Sequence, residues 1–249
     1  MADVKGWEYL LAEICIIMCL VFAIFYFNKA RKTEENMKTL KQLNIGLGIL
    51  FLFLFICRVL DNPIGTMLDP ARNVDLFGIE LGNLDLHNIF TFFDYDTPII
   101  GSIIIMGYFT NMFFLLGLAI ATFFMERAFI PKAHHIFFIF LITCAFVTFL
   151  AGPITGQMID IFDTNWDDPV ATVFTVMGFL SFAVIPIIYF ILAGKTTGDL
   201  RRNSLFLAFG FIMILVDMHT VGHASSGNWY RSVPCLLGFL FVGLGNVQR

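Results

Sequence analysis

Residues 98–125 read PIIGSIIIMGYFTNMFFLLGLAIATFFM, twenty-eight positions without one charged side chain. A helix rises about 1.5 Å per residue, so roughly 20 mostly apolar residues cross the hydrocarbon core of a bilayer. This stretch predicts a membrane-spanning helix, and the remainder of the chain has the same character. Of 249 residues, 58% are hydrophobic and 14% charged, where a soluble domain carries about 25% charged residues. Phe alone contributes 31 residues, against 15 Lys and Arg combined, and the mean hydropathy is +0.83. Water is excluded as the main solvent. A net charge of -4, with no basic stripe interleaved with aromatics, also argues against nucleic acid as a partner.

Working outward from residues 98–125, six further apolar runs appear: 7–27, 43–60, 135–151, 169–192, 204–221 and 233–247. The last is short for a full crossing. The expected fold is an all-α integral membrane protein, a single seven-helix transmembrane bundle covering residues 1–249. The first run is too long for a signal peptide, and its basic cluster follows it instead of preceding it. If the runs alternate across the membrane, Lys29, Arg31, Lys32, Lys38, Lys41, Arg127, Lys132, Lys195, Arg201, Arg202 and Arg249 share one side. Only Lys5, Arg72 and Arg231 lie opposite, together with most acids and all three Trp (Trp7, Trp166 and Trp229). Basic loops face the cytoplasm and indoles favour the headgroup level. The expected arrangement is N-terminus out, C-terminus in, in the cell membrane. In the first inner loop Glu34 and Lys38 have helical spacing, but a solvated turn is the expectation there.

The one long outer connection, between the second and third runs, contains FGIELGNLDLHN, which alternates apolar and polar residues on both sides of Gly82-Asn83. A two-residue Gly-Asn turn between alternating runs predicts a β-hairpin. It would pair Leu81 with Leu84 and Ile79 with Leu86, and as a lid it would cover the outer end of the bundle.

Ionisable groups at membrane depth are costly unless paired or hydrated, and they mark functional sites. Glu13 lies six residues beyond Trp7, about 9 Å inward. Arg58 closes the second run, while Asp217 and His219 lie near the outer end of the sixth. All four belong to the outer third, and the inner halves are expected to hold no acid. Together they predict an outward-facing polar pocket, in which Arg58 neutralises Glu13 or Asp217. In DMHTVGH, His219 and His223 stand four residues apart, workable spacing for two imidazole ligands. With His87 from the outer loop they form a candidate zinc site, although Gly222 and the following SSG signal a helix end. His134 and His135, at the inner boundary, are expected to act as interfacial anchors. The five Cys all fall within the apolar runs and read as small apolar residues without a disulfide framework.

Seven spans with this orientation exclude retinal chemistry, because a Schiff base needs a Lys in the last span and none lies there. Metal hydrolases of the alkaline ceramidase and progestin-receptor-like type place an HxxxH pair in the last span and a His in the second; here the pair ends the sixth run and the second has no His. The chain resembles archaeal seven-helix membrane proteins and, through them, the seven-helix sensor module that precedes some histidine kinases. FLFLFICRVLD, GLAIATFFMERAFIPK and YFILAGKTTGDLRRNSLFLAFGF carry the resemblance. It implies a sensor, and with no effector domain after Arg249 the output is expected to pass to a separate protein.

The leading functional expectation is therefore a receptor- or sensor-like protein that binds a small ligand from outside through Glu13, Arg58, Asp217 and His219. A cytoplasmic or membrane partner would read the inner loops. A zinc-dependent hydrolase acting on lipid headgroups at the outer leaflet is a second expectation, resting on His87, His219 and His223. A non-catalytic subunit of a larger membrane complex is a third. A transporter is disfavoured, since no pair of broken helices stands in matching halves.

Overall fold

The computed structural model of the chain describes residues 6–59, 75–76, 79–80, 98–131, 134–155, 169–221 and 232–246. Seven α-helices run through these residues: α1 (Gly6–Lys32), α2 (Lys38–Val59), α3 (Pro98–Phe129), α4 (Ile136–Thr155), α5 (Pro169–Lys195), α6 (Gly198–Val221) and α7 (Ser232–Gly245). Proline opens both α3 and α5, where its fixed φ suits the first turn and its missing N–H is not needed. Between α1 and α2 the chain makes a single 3-10 turn, Glu35–Met37, so the expected solvated turn is present and the helix does not continue from Glu34 to Lys38. At the α5–α6 junction Gly198 takes φ +61°, a left-handed conformation that glycine adopts without steric cost.

Consecutive helices pack on one another from α1 to α4 and from α5 to α7. Further contacts of α3 with α5 and of α1 with α7 close the bundle. Five helices outlast their apolar runs at the basic end: α1 reaches Lys32, α2 starts at Lys38, α3 reaches Phe129, α5 reaches Lys195 and α6 starts at Gly198. Lys and Arg are good helix formers, favoured at helix C-termini, and their stems cover apolar surface while the charge reaches water.

Three stretches among the described residues are long and apolar enough to cross a membrane: Glu13–Lys32, Glu35–Val59 and Met112–Phe129. Ile136–Val147, Leu180–Lys195 and Val233–Gly245 are apolar but shorter. Helix α7, with 14 residues, rises only about 21 Å. The outward-facing side chains of these segments are as apolar as the core. Ile17, Ile24, Phe146, Leu180 and Leu240 are all more than half exposed. Helices hydrophobic all round belong in lipid, and between their end turns the backbone groups are paired within the helix, as that solvent requires. Association with a membrane follows.

The core is built on rings fitted to glycines. A methyl placed on Gly46 would fall 2.8 Å from the Phe124 ring, and one on Gly48 would fall 2.9 Å from the Phe27 ring. Gly117 receives Phe53, whose Cβ would lie 2.6 Å and whose ring 3.2 Å from such a methyl. A column of four rings crosses the middle of the bundle: Tyr26 to Phe51 at 5.7 Å, Phe51 to Phe211 at 5.8 Å and Phe211 to Tyr189 at 5.7 Å between centroids. All five Cys are buried and none is in a disulfide, as expected of small apolar residues.

The only strand pairing among the described residues is Asp75–Leu76 with Ile79–Glu80, antiparallel, with Asp75 opposite Glu80 and Leu76 opposite Ile79. It is two residues per side, too short to form a stable hairpin by itself. It pairs Ile79 with Leu76 and does not include the expected Ile79–Leu86 pair; Gly82-Asn83, Leu84 and Leu86 lie outside the described residues.

Candidate functional site

Polar side chains gather at both ends of the bundle. At the end away from the lysines, Arg58 in the last turn of α2 is only 3% exposed. Glu13, on α1, is half-buried. Phe27 lies against Gly48, which sets the antiparallel register of α1 on α2. Carried along both helices at about 1.5 Å per residue, that register brings Arg58 level with roughly residue 17, one turn from Glu13. The two therefore stand about one helical turn apart in depth on adjacent helices. A guanidinium this buried is not reaching for the interface, as a snorkelling Arg would.

At the basic end, Asn246 directly after α7 ties that helix to α1. Its Nδ2 donates to the Tyr26 hydroxyl at 2.7 Å and to the Val242 carbonyl at 2.8 Å. Its Oδ1 accepts from Lys29 Nζ at 3.0 Å. The orientation of this amide follows from chemistry: an ammonium only donates and a carbonyl only accepts. Lys29 Nζ also lies 5.9 Å from the centroid of Phe25. Tyr26 is the first ring of the four-ring column, so the network and the core are continuous.

A second polar assembly joins α3 to α4. Glu126, 1% exposed, accepts backbone N–H bonds from Phe137 (Oε1, 3.0 Å) and Phe138 (Oε2, 3.3 Å). These are first-turn amides of α4, which have no partner inside their own helix, and a carboxylate is favoured at that pole of the helix. His134 and His135 make the turn with φ +49° and +62°, a region costly for side-chain-bearing residues. The His135 ring stacks on Phe123 at 4.8 Å, and its Nδ1 stands 3.8 Å from Glu126 Oε2, too far for a hydrogen bond.

One expectation is qualified: Glu126, the residue directly after the 98–125 run, is an acid buried at the basic end of α3. His135 also does more than anchor an interface, since it forms the turn that brings the α4 amides to Glu126. Of the expected pocket residues, Glu13 and Arg58 lie within about one turn of each other in depth, on adjacent helices. Asp217 and His219 fall in the last two turns of α6, with side chains outside the described ones. His87 and His223, which with His219 would hold zinc, also lie outside the described residues. Among the described residues no group of three or more His, Cys, Asp and Glu is arranged to hold a metal.

Tyr26, Lys29 and Asn246 belong to no motif. Their one sequence signal is an amide and a phenol placed next to basic residues at the ends of apolar runs. No protein-family model matches the chain, and neither a curated protein nor a solved structure matches it. The functional reading rests on the site.

Proposed function

We propose that this chain is a receptor- or sensor-like multi-pass protein of the cell membrane. Its seven helices cross with the N-terminus outside and the C-terminus inside, and a small polar ligand binds at the outer end. Glu13 and Arg58 form the floor of that site, Asp217 and His219 of α6 complete it, and a separate partner reads the basic inner loops. The observation that carries this reading is Arg58, a nearly inaccessible guanidinium within a turn of Glu13 at the end opposite the lysines. Ionisable groups held at that depth are retained for ligands, ions or counter-charges.

The five buried native thiols give a quiet background for a labelling test. Glu13→Cys and Asp217→Cys are expected to react with a charged, membrane-impermeant methanethiosulfonate added from the N-terminal side. Ile17→Cys, at a lipid-facing position 57% exposed, is expected not to. Failure of both polar positions to react would remove the hydrated outer pocket and the reading with it. Asp217→Asn is expected to alter ligand response while leaving insertion intact.

A further inference from the structure

Four residues of α1, Phe22, Phe25, Lys29 and Lys32, recur at intervals of three and four and so share one face of the helix. Two aromatics are followed by two cations as the helix runs toward the basic end. This face borders a groove between α1 and α7 of about 230 Å³, lined by Val21, Phe22, Phe25, Gly243 and Asn246. Gly243 keeps it open: a methyl there would meet nothing closer than the Phe22 ring edge at 4.0 Å. Lys29 stands at its polar end, steadied by the 3.0 Å bond to Asn246 and by the Phe25 ring 5.9 Å away. Only one of its three N–H groups is needed by Asn246. Lys32, one turn on, is exposed.

We propose that the α1–α7 groove is a binding site for an anionic phospholipid of the leaflet that borders the basic end. The acyl chain lies against Phe22, Phe25 and the open face at Gly243, and the phosphate is held by Lys29 and Lys32. Charge complementarity selects this occupant, since the apolar walls end in two cations and no carboxylate lines the groove. The site is separate from the one proposed around Glu13, which lies about 24 Å away along α1, so either can fail without the other.

The test compares phosphatidylglycerol with phosphatidylcholine of the same acyl chains, added to the full-length protein in detergent and read by native mass spectrometry. Phosphatidylglycerol is expected to bind on the order of tenfold more tightly. Lys29→Gln is expected to reduce that preference to less than about twofold, whereas Lys195→Gln, at the same end but outside the groove, is expected to leave it intact. Gly243→Leu keeps every charge and fills the groove, and it is expected to weaken both lipids. If Lys29→Gln fails to fold, Lys32→Gln and Gly243→Leu decide the matter. Equal binding of the two lipids would overturn the proposal. So would an equal loss in Lys195→Gln, or competition by inorganic phosphate as strong as that of the lipid.

Discussion

The α6–α7 seam makes the sharpest stability prediction. A methyl added to Gly238 would lie 2.8 Å from the Gly210 carbonyl oxygen and 2.9 Å from the Ile214 amide nitrogen. One added to Gly210 would lie 2.9 Å from both the Gly238 carbonyl oxygen and the Val242 amide nitrogen. These are backbone atoms, so no rotamer change relieves the contact, and the helices must separate by about half an ångström. A gap of that size forfeits a quarter or more of each dispersion contact along the seam, and overpacking of this kind costs about 1–3 kcal/mol. Replacing glycine within a helix returns up to about 1 kcal/mol. The net expectation for Gly210→Ala and Gly238→Ala is a loss of about 0–2 kcal/mol each, set by that cost less that return. Gly194→Ala, where a methyl meets nothing within 4 Å, is expected to be neutral or to gain up to about 1 kcal/mol. The double variant Gly210→Ala/Gly238→Ala is expected to cost less than the sum, by about 0.5 kcal/mol or more, because one separation accommodates both methyls. Reversible unfolding in mixed detergent micelles measures all four. Seam variants as stable as Gly194→Ala, or strictly additive ones, would refute the backbone-contact argument.

Two further perturbations address the basic end. Asn246→Ala removes the tie between α7 and α1 and is expected to cost about 0.6–2 kcal/mol, with Tyr26→Phe adding little on top of it in a double-mutant cycle of the same unfolding measurement. Glu126→Gln leaves one acceptor where two α4 amides need one each, and a loss of about 1–3 kcal/mol is expected; Glu126→Asp, a methylene shorter, is expected not to restore stability.

Seven helices were legible because each apolar run is bounded by charge, Pro or Gly, and the shortness of α7 could be counted directly. The helix ends at the basic side could not be read the same way. Hydrophobic periodicity stops at Phe27 and Met125, whereas Lys and Arg continue the helices to Lys32 and Phe129. At the end of an apolar run Arg58 reads equally as a buried group or as one that snorkels to the interface, and only the structure shows that it is buried. The Asn246 network was not legible, since Lys29 and Asn246 are 217 positions apart and nothing local to either announces the other. Glu126 was hidden for a different reason. Followed by Arg127 at the end of an apolar run, it reads as one half of a solvated charge pair, and only the turn at His134-His135 brings the α4 amides to it.

The composition explains why so few polar residues matter so much. In water, burial alone would decide which side of each helix faces inward. Here Ile17 and Leu240 on the outside are as apolar as Leu50 and Phe51, both fully buried inside, so transfer from solvent distinguishes nothing. The arrangement must then be selected by shape and by directional contacts. The shapes are Phe27 in the notch at Gly48, Phe124 at Gly46 and the Gly210–Gly238 crossing. Among the directional contacts are Asn246 with Tyr26 and Lys29, and Glu126 with α4, both toward the basic end. Both ties hold that end by side-chain hydrogen bonds between helices. Arg58, 3% exposed at the opposite end, is a further polar group that the bundle must accommodate by directional contacts and not by apolar packing.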